Sequence, residues 1–488
     1  MAISPARRTL IRNVVILACA VDAADKALLP ATFKVLSDEL GVGPKELGAL
    51  AFAQSIAFSV ALPVWGSLMR YYSAKDLMVL GCFLWGALTV MIACTSTYEM
   101  QFLLRLLVGA ALAVVNPVGQ AIICDVVPED ERGWAFGLLQ SFSAGLTMFV
   151  SFGTTAIATV TVAGVKGWRL AYMGVAGLSI LAGAAAWVLV PSAVSAVKPV
   201  GQTSWLAEQK RIVGDVAHKP SFVIMVAQGV TGGIPWNAFA FLAFFFQLSG
   251  YSDLQTGQIT FFGGLGGVLG GLVGGSLGDR VNGCFPDVGR CAVAQTSVVL
   301  GIGCFLWFIY IPYSATSFPI LAAAFFMFNA VSCWTPAAAL RPICGTIFTD
   351  SKDRAQVLAL WMALEGFISS FCGAPLVGLL SEFFGYKLVQ GQDQPLPAEK
   401  AESLMALRNA LIGVTVLPFT LCAIAWVPMY WTYPRDRAVM QLLAGDLRTP
   451  HKQRGKWTID LVGVPPHHHC VHSLHQGPGS VHGPGPHS

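Results

Sequence analysis

Six ionisable side chains interrupt otherwise apolar stretches of this chain: Asp22, Asp25 and Lys26 near the start, then Arg105, Arg341 and Glu365. Asp22 and Asp25 are three residues apart, so a helix places them on one face, and Lys26 follows Asp22 by four. Carboxylates held near basic groups where polarity changes can take up and release a proton, which is what coupling to a proton gradient requires. On that reading Asp25 is a coupling group and Arg105 or Arg341 binds an anion beside it. The same residues also suit static ion pairs that fix helix packing, with Lys26 reaching its charge toward a membrane surface and Arg105 holding local backbone. A charge at mid-membrane costs about 3 kcal/mol or more unless it is paired or wet, so both readings demand partners. Trp236 and Phe239 share a helix face, with Phe246 nearby, and either line the path of an amphipathic solute or pack a core.

The elements that carry these groups follow from composition. Of 488 residues, 55% are hydrophobic and only 11% charged, with a mean hydropathy of +0.64. A water-facing domain carries about 25% charged residues, so most of this surface faces something other than water. Apolar blocks fall near 11–35, 46–70, 76–95, 99–124, 134–161, 168–191, 221–247, 256–278, 289–311, 318–346, 355–384 and 405–431. Each has about the length that crosses a hydrocarbon core. Twelve blocks in two sets of six predict an all-α polytopic membrane protein: residues 1–191 as one six-helix bundle and 220–432 as the other. Residues 192–219 form the link, with a surface-lying amphipathic helix around Trp205 or a disordered tether. Residues 433–488 read as a His/Pro/Gly-rich tail outside the fold.

With the N-terminus inside, the cytosolic segments hold about 20 Lys and Arg against about seven on the other side, which places both termini in the cytosol. The net charge of +4 is too balanced for a nucleic-acid partner. No phosphate-cradling Gly-x-x-x-x-Gly-Lys-Ser/Thr loop is present, which argues against ATP as the energy source. No nucleophile elbow or paired acid–base set lies in or near the blocks, which speaks against an enzyme. Neither a cofactor nor a metal site is expected. The expected partners are a small-molecule solute and the lipid bilayer, with the chain acting as a monomer.

Two loops carry the most specific signal. Gly274-Gly275-Ser276-Leu277-Gly278-Asp279-Arg280 ends the eighth block and resembles the Gly-x-Leu-x-Asp-Arg loop of the major facilitator superfamily. Its counterpart after the second block, Gly66-Ser67-Leu68-Met69-Arg70, has Arg70 where the family pattern has Asp. In such a loop glycine lets two helices touch, while charges at helix ends pair with neighbouring helix termini and latch one conformation. Recurrence after the second and eighth blocks is the sign of an internal repeat. The fourth block reads Arg105-x-x-x-Gly109 and is followed by a loop from Asp125 to Arg132-Gly133, again similar to the family, with an echo at Asp353-Arg354 in the second half. Gly66, Arg70, Asp125, Arg132, Gly275, Asp279, Arg280 and Arg354 are therefore the candidate latch residues.

At finer grain the chain resembles the Spinster-like transporters over about residues 10–430. The resemblance rests on Asp22-Ala-Ala-Asp25-Lys26, Gly48-Ala49-Leu50, Gly167-Trp168-Arg169, Pro220-Ser221-Phe222 and a Gly-rich eighth block. It implies secondary transport of a small organic or amphipathic solute, lipid-like solutes included. Spinster proteins usually have Asp-Arg in the first helix and a Glu in the fourth. Here these are Asp25-Lys26 and Leu112, so a mechanism resting on that Glu does not carry over. A uniporter or exchanger of an organic anion remains the alternative, followed by a non-transporting receptor.

Overall fold

The computed structural model describes residues 4–69, 71–128, 131–191, 210, 214, 218–312, 314, 316–347, 351–387 and 397–446. Arg70, the linker helix around Trp205 and the His-rich run beyond 446 lie outside the described residues, as do the side chains of Arg341 and Arg354.

The described chain is helical apart from a two-residue hairpin, Thr161–Val162 against Val165–Lys166. Its single-piece spans are the second (Pro44–Leu68), third (Ala74–Cys94), fifth (Arg132–Ile157), sixth (Gly167–Leu189), eighth (Asp253–Cys284), ninth (Gly289–Ile309) and twelfth (Pro397–Ala425). The other five are interrupted. The first is Pro5–Asp25 then Leu28–Leu40, and the fourth is Tyr98–Leu112 then Val115–Val126. The seventh is Pro220–Ala238, a 3-10 turn at Phe239–Phe241, then Leu242–Ser249. The tenth is Phe318–Ser332, a π-helical turn at Pro336–Leu340, then Arg341–Ile347. The eleventh is Ser351–Cys372 then Ala374–Phe383.

Eleven of these helical runs are long and apolar enough to cross a membrane. The first falls short on the same measure because of its charges, and it makes the twelfth. Burial follows the same logic. Within each half the helices bury apolar and small side chains against one another, while large apolar residues such as Leu181, Trp187, Leu272 and Leu417 stay exposed. In a membrane protein that outward apolar surface is the lipid face.

Helix continues past the point where the sequence reading ends the fold. A terminal helix runs from Met429 to Asp446. Tyr433 is buried in it, Asp436 accepts from the Ser221 backbone N–H at the start of the seventh span, and Arg437 donates to Pro286 O and Asp287. Its charged composition hid it from a reading based on apolar blocks.

Candidate functional site

The interruptions of the first and fourth spans meet. Cys19 Sγ lies 3.7 Å from Val115 O. Asn116, one residue into the second piece of the fourth span, donates to Asp22 Oδ2 at 2.6 Å. Lys26, at the break of the first span, pairs with the same oxygen at 3.0 Å, and its ammonium sits 4.3 Å from the centre of the Phe58 ring. The basic partner of this pair is therefore fixed: Lys26 bonds Asp22, one helical turn back, and not its sequence neighbour Asp25. Lys26 is also the exposed member of the group, at 38% of its side chain, whereas Asp22 and Asp25 are sealed.

Asp25 accepts from Thr89 Oγ1 at 3.4 Å and lies near the Trp85 indole without a well-formed hydrogen bond to it. Arg105 is fully buried. One Nη donates to Gln54 Oε1 at 3.2 Å and the other to the Tyr172 hydroxyl, over whose ring the guanidinium lies. The Arg-x-x-x-Gly spacing now has a physical reason. Gly109, one turn beyond Arg105, lets the fourth span rest on the backbone of Gln54, and that close approach brings the Gln54 side chain within reach of Arg105. No carboxylate of the described residues lies in salt-bridge contact with Arg105; Asp25 and Arg105 interact only at longer range.

In the second half Trp236 stacks on Phe328 and meets Phe239 edge-on. Phe239 contacts Phe305, Phe328 and Phe419, and Phe246 is fully buried. Phe239 and Phe246 are core. Trp236 keeps 42% of its surface exposed and closes that core on one side. Glu365 lies against Gly229 and Gly233 of the seventh span.

The latch residues divide. Asp279 pairs with Arg290 at 2.8 Å, and Arg290 also donates to Ala338 O in the π-helical turn at 2.8 Å. The loop thus ties the eighth, ninth and tenth spans together. Arg280 is exposed and ion-pairs with no described residue. Gly274 and Gly278 make the close contacts of this segment, with Trp334 and Ala338; Gly275 makes only an ordinary one, and a methyl group on Gly66 would meet nothing. Arg132 donates to Cys124 O and Val127 O, capping the C-terminal carbonyls of the fourth span. Asp125 is exposed beside it.

The halves meet at the end where the first span passes to the second, here called the Pro44 end. A methyl group on Gly48 would stand 2.6 Å from Ala374 O, and one on Gly378 would stand 2.5 Å from Pro44 O. Phe33 and Phe241 lie 4.8 Å apart, as do Phe52 and Phe371, and Thr159 donates to Asp253. Only the partner helix reveals the role of Gly378. Beside this closure Glu39 binds Lys166 at 2.9 Å and Arg169 at 3.2 Å, and accepts from Trp168 Nε1 at 2.9 Å.

The sequence pattern of the Major Facilitator Superfamily matches residues 15–340. A probable L-galactonate transporter of Escherichia coli (strain K12) is 27% identical over 33% of this chain and 35% of its own length. An uncharacterised MFS-type transporter of Bacillus subtilis (strain 168) is 26% identical over 32% and 39%. The alignments thus span little more than a third of these curated relatives. Among solved structures, a bacterial homologue of the human lysosomal transporter Spinster, inward-facing and unoccupied, superposes with a TM-score of 0.74 at 16% identity, over 89% of this chain and 99% of that one. A D-xylose-proton symporter gives 0.64 at 14% identity, over 87% and 99%. Folded as two sets of six spans and matching the family over two thirds of its length, the chain belongs to the Major Facilitator Superfamily.

Proposed function

We propose that the protein is a secondary transporter that moves a small organic or amphipathic solute by alternating access, with Asp25 as its proton-coupling group. One observation carries the reading: the first, fourth, seventh and tenth spans are all interrupted part-way along, and beside the first two interruptions Asn116 of the fourth span and Lys26 of the first both bind Asp22. Irregular backbone at membrane depth is tolerated where it is buried in protein or lines a water-filled cavity, and transporters use it to build binding sites.

The excess of basic residues on one side puts both termini in the cytosol. The Pro44 end is then the outer face, closed in this conformation, and the solute enters from the cytosolic side between residues 1–191 and 220–432. Residues 192–219 link these halves, and the terminal helix to Asp446 braces the second. The motifs of the first, second, sixth and seventh spans place the chain with the Spinster-like branch. The names of the galactonate and xylose-proton relatives support a small organic solute, and the second supports proton coupling. An exchanger of an organic anion is the second reading, favoured by Lys26 as the exposed charge of the cluster.

The test is uptake of a metabolite mixture by liposomes holding the purified protein, with and without a pH gradient of either sign. Protein-dependent uptake of one component, raised by the gradient, is expected. Protein-independent uptake of every component would reject transport, and uptake blind to the gradient would reject coupling.

A further inference from the structure

The charges of the first half compensate one another. Two acids, Asp22 and Asp25, face two bases, Lys26 and Arg105, and each acid has at least one hydrogen bond. Glu365 differs. It lies well inside the eleventh span, half-buried, and its carboxylate makes no hydrogen bond or ion pair with any described residue. Its neighbour Trp361, one turn earlier, is 91% buried with its indole N–H unpartnered.

Both side chains rest in the groove that Gly229 and Gly233 open on the seventh span. A methyl group on Gly229 would stand 2.6 Å from Trp361 Nε1 and 3.0 Å from Glu365 Oε2, and one on Gly233 would stand 3.0 Å from Glu365 Oε1. Gly366, the next residue, faces the opposite way: a methyl group there would stand 3.0 Å from Ser59 Oγ of the second span, in the other half. The carboxylate therefore sits one residue from the contact between halves.

We propose that Glu365 is a second proton-exchanging group, housed in the second half and switched by the contact between the second and eleventh spans. The proposal rests on the transporter reading and deepens it. A lone carboxylate at this depth is costly, and a proton from the cavity relieves that cost without a fixed counter-ion. None of its described neighbours supplies one. The seventh span, Pro220–Ala238, has no ionisable side chain and offers Gln228. The twelfth offers the Cys422 thiol, whose Sγ donates to Gln228 Oε1. The second offers Ser59, one residue from the Phe58 ring that carries Lys26. In the second piece of the eleventh the acid is Glu382, at the Pro44 end, and the side chain of Arg341, in the tenth, lies outside the described residues. When the second and eleventh spans part at the Pro44 end, the Ser59–Gly366 contact opens and Glu365 meets the other compartment. Proton release then follows from the same motion that exposes the solute.

Trp361 provides a readout that needs no solute. In the purified full chain, tryptophan emission is followed against pH for the wild type, Glu365→Gln, Trp361→Phe and Asp25→Asn. A pH-dependent step present in the wild type and Asp25→Asn, and lost in both Glu365→Gln and Trp361→Phe, is expected. A step that survives Glu365→Gln, or no step in the wild type, overturns the proposal. In liposomes, Glu365→Gln should lose uphill uptake yet keep solute exchange at equal pH, and Glu365→Asp should restore part of the uphill uptake. Full uphill uptake in Glu365→Gln also overturns it. If the wild type moves no solute, the transporter reading fails, while the emission step still decides whether Glu365 exchanges a proton.

Discussion

Gly378→Ala is the sharpest test of the closure between the halves. The added methyl would lie 2.5 Å from Pro44 O and 2.7 Å from Lys45 Cα, both backbone atoms that no rotamer can move. Non-bonded carbon contacts settle at about 3.5 Å or more, so the two helices must part by about 1 Å at this point. Overpacking of this kind costs about 1–3 kcal/mol. Alanine also favours helix over glycine by roughly 1 kcal/mol, but that gain is common to every conformation and cancels between them. The conformation closed at the Pro44 end therefore loses about 1–3 kcal/mol against the one open there, a shift of about 5- to 150-fold in their ratio.

Spin labels on Val162 and Leu254, exposed residues at that end in the first and second halves, report the ratio by pulsed EPR in a cysteine-free background. The variant should gain a longer-distance population that Gly303→Ala, where a methyl group meets nothing, does not. An unchanged distance distribution in a folded Gly378→Ala protein would refute the reasoning.

Other outcomes follow from single contacts. Asp25→Asn should lose uphill uptake under a pH gradient while exchange at equal pH persists; loss of both together with folded protein would return Asp25 to a packing role. Arg290→Ala should lower thermal stability more than Asp279→Asn, because Arg290 also holds Ala338 O, whereas an exposed ion pair contributes only about 0–1 kcal/mol; equal losses would contradict this. Glu39→Gln should lower thermal stability, because Glu39 binds Lys166 and Arg169 together and accepts from Trp168; an unchanged melting temperature would contradict this.

Much of the fold is legible in the sequence because membrane spans announce themselves one at a time. A run of about 20 apolar residues needs no partner to be recognised, so eleven spans and a charged twelfth follow from composition. Pairings are another matter, since they depend on which helices touch. The sequence sets Lys26 one helical turn from Asp22, and that pair forms, but nothing in it shows Asn116 of the fourth span as the second partner of the same acid. It marks Gly275 and Gly66 as contact residues, yet the contacts fall on Gly274 and Gly278, because only one face of the eighth span meets the tenth. Arg105 and Gly109 are readable as a motif, and their reason, Gln54, lies 51 residues from Arg105 in the chain.

The interruptions tie these observations into one mechanism. A continuous first span would carry Asp22, Asp25 and Lys26 as fixed charges in a rigid rod. Because the helix stops at Asp25 and restarts at Leu28, the segment holding Lys26 can turn without unfolding either piece. Asp22 is held from the fourth span through Asn116, so motion at the first interruption is felt at the fourth. In the second half Gly373, which separates the two pieces of the eleventh span, has Gly366 one side and Gly378 the other, and both face the second span across the closure. Opening the halves therefore disturbs the first-half charge cluster and the environment of Glu365 together. On the roles proposed for Asp25 and Glu365, proton exchange at either carboxylate is tied to which end is open.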